Sequence, residues 1–352
     1  MKPWAAGGRS GLLFDLHGAE MKLIVQIPCY NEEQTLPETI AAIPRRIAGV
    51  DKVEILVVDD GSHDGTVAIA RSLGVDHIVR HKNNKGLARA FKSGVEEAVR
   101  LGADIIVNTD GDNQYCGHCI PALIAPIVKG EADIVIGDRQ VTRNTHFSPT
   151  KRCLQAIGSF VVRRLSRTDV PDAVSGFRAI SRHAAIGLNI LSPFSYTIEM
   201  LIQAGQRRLA IVSVPVETNA PTRNSRLFKH VPQFLQRSVI TMVRAYTMYH
   251  PLRMFFLLGS VLMIVGLVPV LRFAFYYIIG QGDGHIQSLV LGGSFLIMGF
   301  MSYLVSLIAD IVNFNRQLIE MTLHRVTELE LKLDKLNEGE APPLPDERRE
   351  AS

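Results

Sequence analysis

Two long apolar stretches near the carboxyl end constrain this chain more than any other feature. Leu252–Ile279 has one interior charge, Arg272, and Ile286–Asn313 has one, Asp310. A helix needs roughly 20 apolar residues to cross a hydrocarbon layer about 30 Å thick, and each stretch is longer than that. The connection Gly280–His285 has no Lys or Arg, whereas Arg244 precedes the pair, Arg253 stands at the outer edge of the first stretch, and Arg316 and Arg325 follow the second. The bias of basic residues toward the cytoplasm therefore places both ends of the hairpin, and both termini, on that side. Arg272 and Asp310 are expected near opposite membrane surfaces, where long or charged side chains can reach water.

The rest of the chain is ordinary in composition. Mean hydropathy over the 352 residues is only +0.15, because the apolar excess is confined to the hairpin. Formal net charge is +4, too small to argue for a nucleic-acid partner. The basic residues between Arg223 and Arg253 cluster just before the first apolar stretch, where they suit phosphates or anionic headgroups. Four cysteines, Cys29, Cys116, Cys119 and Cys153, are too few for a disulfide scaffold and fit a reducing compartment. Residues 1–20 lack the pattern of a signal peptide and are read as an extension, since Met21 stands immediately before the first strand-like run.

From residue 22 to about 140, short apolar runs alternate with amphipathic stretches. Leu23–Pro28, Val53–Asp59, Asp104–Thr109 and Asp133–Gly137 read as strands; 33–47, 64–73, 85–101 and 118–129 read as helices. That alternation predicts an α/β fold with a mainly parallel sheet covered on both faces. A helix at 150–166, a loop bearing Ser175-Gly176-Phe177-Arg178, a helix near Thr197–Gln206 and a strand at Ala210–Val216 complete a domain spanning 21–228. Residues 229–250 mix apolar positions with Arg237 and Arg244, as an interfacial amphipathic helix does. The hairpin occupies 251–314, with spans at about 252–279 and 286–313. At 315–337, Ile319, Thr322, Val326, Leu329, Leu333 and Leu336 repeat at 3,4 spacing, fitting either a coiled coil that makes a homo-oligomer or a helix packed on its own chain. The Pro- and Glu-rich tail 338–352 reads as disordered.

Ligands of open parallel sheets sit beyond the carboxyl ends of the strands. Polar clusters follow three of the strands: Asn31-Glu32, Asp59-Asp60-Gly61-Ser62, and Asp110-Gly111-Asp112. Paired carboxylates at such an edge offer hard oxygen ligands to Mg²⁺ or Mn²⁺, which complete their shell with substrate phosphates. Asp59 and Asp60 can accept hydrogen bonds from a base or a ribose, and Lys85-Gly86 opens a helix whose amino end can approach phosphate. Acidic side chains from separate strands, Asp60, Asp110 and Asp112, are thus expected to gather around one cation.

Pro28-Cys29-Tyr30-Asn31-Glu32, the run Asp59–Thr66, the Lys85-Gly86 helix start and Asp110-Gly111-Asp112-Asn113-Gln114, in that order, resemble the inverting family 2 glycosyltransferases of GT-A fold. Ser175-Gly176-Phe177-Arg178 and the paired apolar helices narrow the resemblance to polyprenyl-phosphate (dolichyl-phosphate mannose synthase-like) transferases. The likeness covers about 22–315. It implies inverting transfer of a sugar from a UDP- or GDP-sugar to a polyprenyl phosphate at the cytoplasmic membrane face. By the same resemblance Pro28, Tyr30, Glu32, Asp59, Asp60, Lys85 and Asp110 line the nucleotide. Asp110, Asp112 and Gln114 hold the cation. Arg139, Ser175 and Arg178 meet the acceptor phosphate, and Arg223 and Arg226 close over the diphosphate. Asp112, Arg139 and Arg223 then carry the chemistry. A lipid hydroxyl or growing glycan is the alternative acceptor, and a non-enzymatic membrane scaffold the second alternative. Cys116-Gly117-His118-Cys119 has the spacing of a disulfide-exchange motif, but without thioredoxin-like surroundings it reads as a helix entry.

Overall fold

A computed structural model describes residues 20–140, 168–188, 196–219 and 246–339, together with 159, 162, 163, 190, 236, 239, 240, 243 and 244. Seven strands form one sheet: β1 Lys22–Cys29, β2 Lys52–Asp59, β3 His77–Arg80, β4 Ile105–Asn108, β5 Ile134–Asp138, β6 Arg178–Ser181 and β7 Ile211–Pro215. Their spatial order is β3-β2-β1-β4-β6-β5-β7. All pairings are parallel except those of β6, which runs antiparallel between β4 and β5. The four runs read as strands in the first half of the chain, and Ala210–Val216, fall on β1, β2, β4, β5 and β7. β3 and β6 were not foreseen; each has only four residues, too few for alternation to show.

Side-chain alternation divides the core into two layers. Ile24, Leu56, Val58 and Ile106 face α3 (Leu87–Arg100) and, after α5 (Arg182–Gly187), the helix α6 (Tyr196–Gln206). Leu23, Val25, Ile27, Ile55 and Val57 face α1 (Leu36–Ala41), α2 (Thr66–Ser72) and α4 (Ile120–Val128). The Cys-x-x-Cys segment is a helix entry: a short 3-10 turn, Gly117–Cys119, leads into α4. There the α-carbon of Gly117 packs so closely on Ala42 that a β-carbon would lie 2.6 Å from its carbonyl oxygen. The helix expected at 150–166 and the interfacial helix expected at 229–250 lie largely outside the described residues.

Helices α7 (Pro251–Ile278) and α8 (Ile286–Gly339) are both long and apolar enough to cross a membrane. They form an antiparallel hairpin held by close backbone contact, as small residues allow between membrane helices. A β-carbon on Gly292 would lie 2.7 Å from Gly266 O, and one on Gly299 would lie 3.0 Å from Gly259 O. Ser302 Oγ and Ser306 Oγ donate to the carbonyls of Phe255 and Leu252 at 2.9 Å each. Ser306 is thus level with the start of α7, so Asp310 and Arg272 stand toward opposite ends of the hairpin, as expected. α8 does not stop at the second apolar stretch but continues unbroken through 315–337.

The hairpin meets the α/β domain beside α6. Tyr249 is buried in the α3-side core, Arg316 stacks on its ring at 4.2 Å, and Gln206 hydrogen-bonds His250 at 2.9 Å. Tyr196, at the other end of α6, reaches the carboxyl edge of the sheet. The junction and that edge are therefore separated by the length of an 11-residue helix, about 16 Å.

Candidate active site

The carboxyl ends of β1, β2 and β4 are laced together by loop side chains. Asn31, at φ +54°, donates its backbone N–H to Ser62 Oγ and accepts from His63 N–H at its side-chain oxygen, both at 2.9 Å. Glu32 N–H donates to Thr66 Oγ1, and Gly65 N–H donates to Glu33. On the other side of β1, Thr35 Oγ1 donates to Gly111 O at 2.7 Å and to Glu32 Oε2 at 3.0 Å. Gly111 lies so near β1 that a β-carbon there would be 3.0 Å from Cys29 Sγ. Burial pushes the Cys29 thiol well above its ordinary pKa, and the fields of Glu32, Asp59, Asp110 and Asp64 push it further. Acidic groups from three strand ends thus converge on this residue.

Convergence is not the single cluster that the sequence suggested. Among the described residues, no three His, Cys, Asp or Glu side chains stand close enough to hold a metal ion. Asp60 is engaged by the turn entering α3. Its carboxylate accepts from Lys85 N–H at 2.9 Å and Gly86 N–H at 2.8 Å, and meets His81 Nδ1 at 2.7 Å. It is a clamp on the turn entering α3. Gly61 makes the approach possible: it adopts φ +75°, and a β-carbon there would lie 2.7 Å from the backbone of Asn83. Asp59, fully buried, accepts from Ser62 N–H at 3.0 Å and lies 3.3 Å from Arg80 Nε.

What remains for a divalent cation is Asp110 and Asp112, with Gln114 adjacent. Two carboxylates plus phosphate oxygens are a sufficient set for Mg²⁺, so these residues fit the group. Asn113 sits at φ +55°, and Gln114 N–H donates to Asp112 Oδ1 at 3.2 Å. The same segment anchors a later one: Tyr115 bridges Thr218, and Asn219 donates to Asn113 O and Gln114 O. Arg223 and Arg226 lie outside the described residues, but the segment leading to them is rooted here.

Pro28, at the end of β1, is buried; Tyr30 and Glu32 follow it at the same edge, Tyr30 half-buried and Glu32 buried. Lys85 is exposed and lines a cleft of about 590 Å³ with Arg89, Lys92, Ser93 and Glu96. This cleft lies along α3 and not over Asp110, so it identifies the Lys85 flank alone. Ser93 Oγ also reaches His81 Nε2 at 3.0 Å, extending the chain of contacts that ends on Asp60.

Behind Asp110 stands Gly176, where a β-carbon would be 3.1 Å from the carboxylate. Gly176 is gripped from both sides. Its N–H donates to Tyr115 Oη at 2.8 Å, and its carbonyl accepts from Asn108 Nδ2 at 2.8 Å. Asn108 is in turn held by Gln26 from β1 and by Tyr196 from α6. Burial raises the Tyr115 hydroxyl to about 12, with Arg139 opposing and Asp110 and Asp172 adding to the rise.

The three residues assigned to an acceptor phosphate separate. Arg178 is fully buried: its Nε donates to Ser175 O at 2.7 Å, Nη1 to Thr197 O at 3.0 Å and Nη2 to Ala173 O at 2.7 Å. Burial lowers its pKa to about 10. Ser175 is also fully buried. Arg178 therefore shapes the loop from within, and the expectation that it meets a phosphate is corrected. Arg139 is paired with Asp172, Nε to Oδ2 at 2.6 Å and Nη2 to Oδ1 at 2.9 Å. Desolvation works to lower its pKa, but Tyr115, Asp172 and Asp110 outweigh it and hold the guanidinium above its ordinary value. Asp172, Asn108, Tyr115, Tyr196 and His81 were not singled out from sequence, because each acts through a partner distant in the chain.

The profile of glycosyl transferase family 2 matches residues 24–187, from β1 to the end of α5. An uncharacterised glycosyltransferase of Mycobacterium bovis is 31% identical over 193 residues, covering 54% of this chain and 83% of that protein. The chain belongs to glycosyl transferase family 2. A dolichol-phosphate mannosyltransferase of Pyrococcus furiosus is 35% identical over 202 residues, 55% of this chain; the match spans little more than half, 56%, of that relative's length. Among solved structures, glucosyl-3-phosphoglycerate synthase from Mycobacterium tuberculosis, in complex with Mg²⁺ and UDP, superposes with a TM-score of 0.51 at 23% identity, over 65% of this chain and 80% of that one. At that identity the likeness concerns fold. It agrees with a GT-A glycosyltransferase domain whose mainly parallel sheet carries its polar loops on one edge.

Proposed function

We propose that this family 2 glycosyltransferase moves a sugar from a UDP- or GDP-sugar to a polyprenyl phosphate at the cytoplasmic face of a membrane, inverting the anomeric carbon. The observation that carries this reading is the packing of Gly111, between Asp110 and Asp112, against Cys29 and Glu32, with Asp59 level with Cys29 on the next strand, at one sheet edge, in a chain that also holds two membrane-length helices. The acceptor activity in the name of the Pyrococcus relative supports a lipid phosphate. The excess of basic residues flanking the hairpin supports the cytoplasmic face.

A phosphate monoester is mostly ionised near neutral pH, its second pKa being about 6, and so attacks without a strong base. A new bond forms between a phosphate oxygen and the anomeric carbon as the bond to the nucleoside diphosphate breaks, its electron pair leaving with the diphosphate. One such displacement inverts the carbon. Asp110 and Asp112, with Gln114, would hold Mg²⁺ or Mn²⁺, which when bound supplies Lewis-acid neutralisation of the leaving group. Arg223 and Arg226 add positive charge from the segment rooted at Asn113 and Gln114. Arg139, fixed by Asp172, presents a guanidinium whose orientation is set before substrate arrives. The lacing of Asn31, Ser62 and Thr66 keeps the nucleotide-side loops in register.

The test is turnover of the full chain in lipid nanodiscs with Mn²⁺, polyprenyl phosphate and a panel of UDP- and GDP-sugars. Donor consumption is expected only with the lipid phosphate, and the product should release its sugar in mild acid. Asp112→Ala should reduce turnover at least about 100-fold. Full activity in that variant overturns the reading, and an acid-stable product moves the acceptor to a hydroxyl.

A further inference from the structure

α8 touches α5 of the α/β domain, and its last part runs on beyond the level of Tyr249. Arg316 and Glu320, bonded to each other at 3.1 Å, mark the level at which the helix passes Tyr249. From Glu320 to Gly339 it continues for 20 residues, about 30 Å. Along this projection Ile319, Val326, Leu329 and Leu333 are all exposed, between 43% and 67%. A globular chain does not leave such a row in water without a partner.

The row has a register. Ile319, Val326 and Leu333 recur every seven residues, with Thr322 and Leu329 in the alternate set. Ile319 and Val326 in the first set with Leu329 in the second favour two parallel strands; Leu333 and Thr322 depart from that pattern. The flanks agree. In a parallel pair, the residue before one core position faces the residue five places later on the partner helix. Here Arg325 falls opposite Glu330, both exposed, so two opposite-charge contacts form by symmetry. An antiparallel pair would set like charges against each other. Two copies in one membrane share an orientation, which removes the antiparallel choice and raises the local concentration enough for two heptads to hold.

We propose that this projection is a dimerisation surface whose partner is the same helix of a second copy, wound as a parallel coiled coil with Arg325 paired to Glu330. The inference uses the membrane orientation argued above but not the sugar-transfer chemistry, and its test reads no activity.

Leu329→Cys and Met321→Cys variants of the full chain are treated in native membranes with a short bis-maleimide, against the parent chain, whose own thiols set the background. Leu329 lies in the seam and Met321 points outward. Leu329→Cys is expected to give a product of twice the monomer mass at least about fivefold above Met321→Cys. In the Leu329→Cys background, Arg325→Glu and Glu330→Arg should each reduce that product several-fold, and the two together should restore it. Monomer abundance on the same gel shows that each variant is made. Equal cross-linking at both sites, none at Leu329, a product of another mass, insensitivity to the single swaps, or no recovery in the double swap overturns the proposal.

Discussion

Arg178 separates what the sequence implies from what the fold does with it. Its guanidinium donates to three carbonyls, those of Ala173, Ser175 and Thr197, at 2.7, 2.7 and 3.0 Å, with no exposed surface. Arg178→Met keeps the unbranched stem and removes every donor. Each buried carbonyl left without a partner costs about 1–3 kcal/mol, partly offset because a buried charge is no longer desolvated. The net loss is about 4 kcal/mol, which lowers the melting temperature of a domain this size by about 10 °C. Arg178→Lys can still serve one carbonyl and should fall between the two. Thermal unfolding of the full chain in detergent measures the loss. KM for the lipid phosphate, taken below the variant's melting range, should stay within about twofold of the parent, since no ground-state contact is removed. An unchanged melting temperature with a tenfold rise in that KM would refute the reasoning and return Arg178 to the acceptor.

Three further outcomes follow from the geometry. Burial alone would raise the Glu54 carboxyl, but Lys22, Lys52 and His77 bond to it and hold it near 2, against 4.5 unperturbed. A carboxyl depressed in the folded state stabilises above its unfolded pKa, so Glu54→Gln should cost about 3 kcal/mol above pH 5, and the gap should close as pH falls from 4.5 toward 2 in denaturant titrations. Asp172→Asn removes the carboxylate bonded to Arg139 and should lower the melting temperature; millimolar inorganic phosphate should recover part of the loss, and no recovery argues against Arg139 as a phosphate ligand. A β-carbon on Gly292 would stand 2.6 Å from Val270 Cγ2, whereas one on Gly293 meets nothing within 4 Å. Gly292→Val should therefore loosen the hairpin by about 1–3 kcal/mol and Gly293→Val should not, read from melting in detergent.

Much of the scaffold could be read directly. Val- and Ile-rich runs such as Val53–Asp59 are buried on both faces, and a continuous apolar run between turn residues announces that. The hairpin was legible for a simpler reason: length and polarity alone decide it. The carboxylates were legible as a set but not in their duties. Asp60 and Asp110 follow equivalent strands, and nothing in the chain order says that one holds Lys85 and Gly86 while the other packs against Gly176. Arg178 shows the same limit, because an arginine beside Ser-Gly reads as an anion ligand until three carbonyls are found around it. Asn108 could have been suspected, since an amide closing the apolar run Ile105–Val107 requires a buried partner.

The reversed direction of β6 has a consequence for how this enzyme can change. A strand that runs backward through the sheet delivers its preceding loop, not its following one, to the working edge. Asp172 to Phe177 arrive there by that route alone, while the loops from Tyr30 to Gln114 arrive from strands running the other way. One flank of the reaction chamber is consequently encoded apart from the other. Exchanging Asp172–Phe177 among homologues would therefore remodel that flank while the loops from Tyr30 to Gln114 stay as they are.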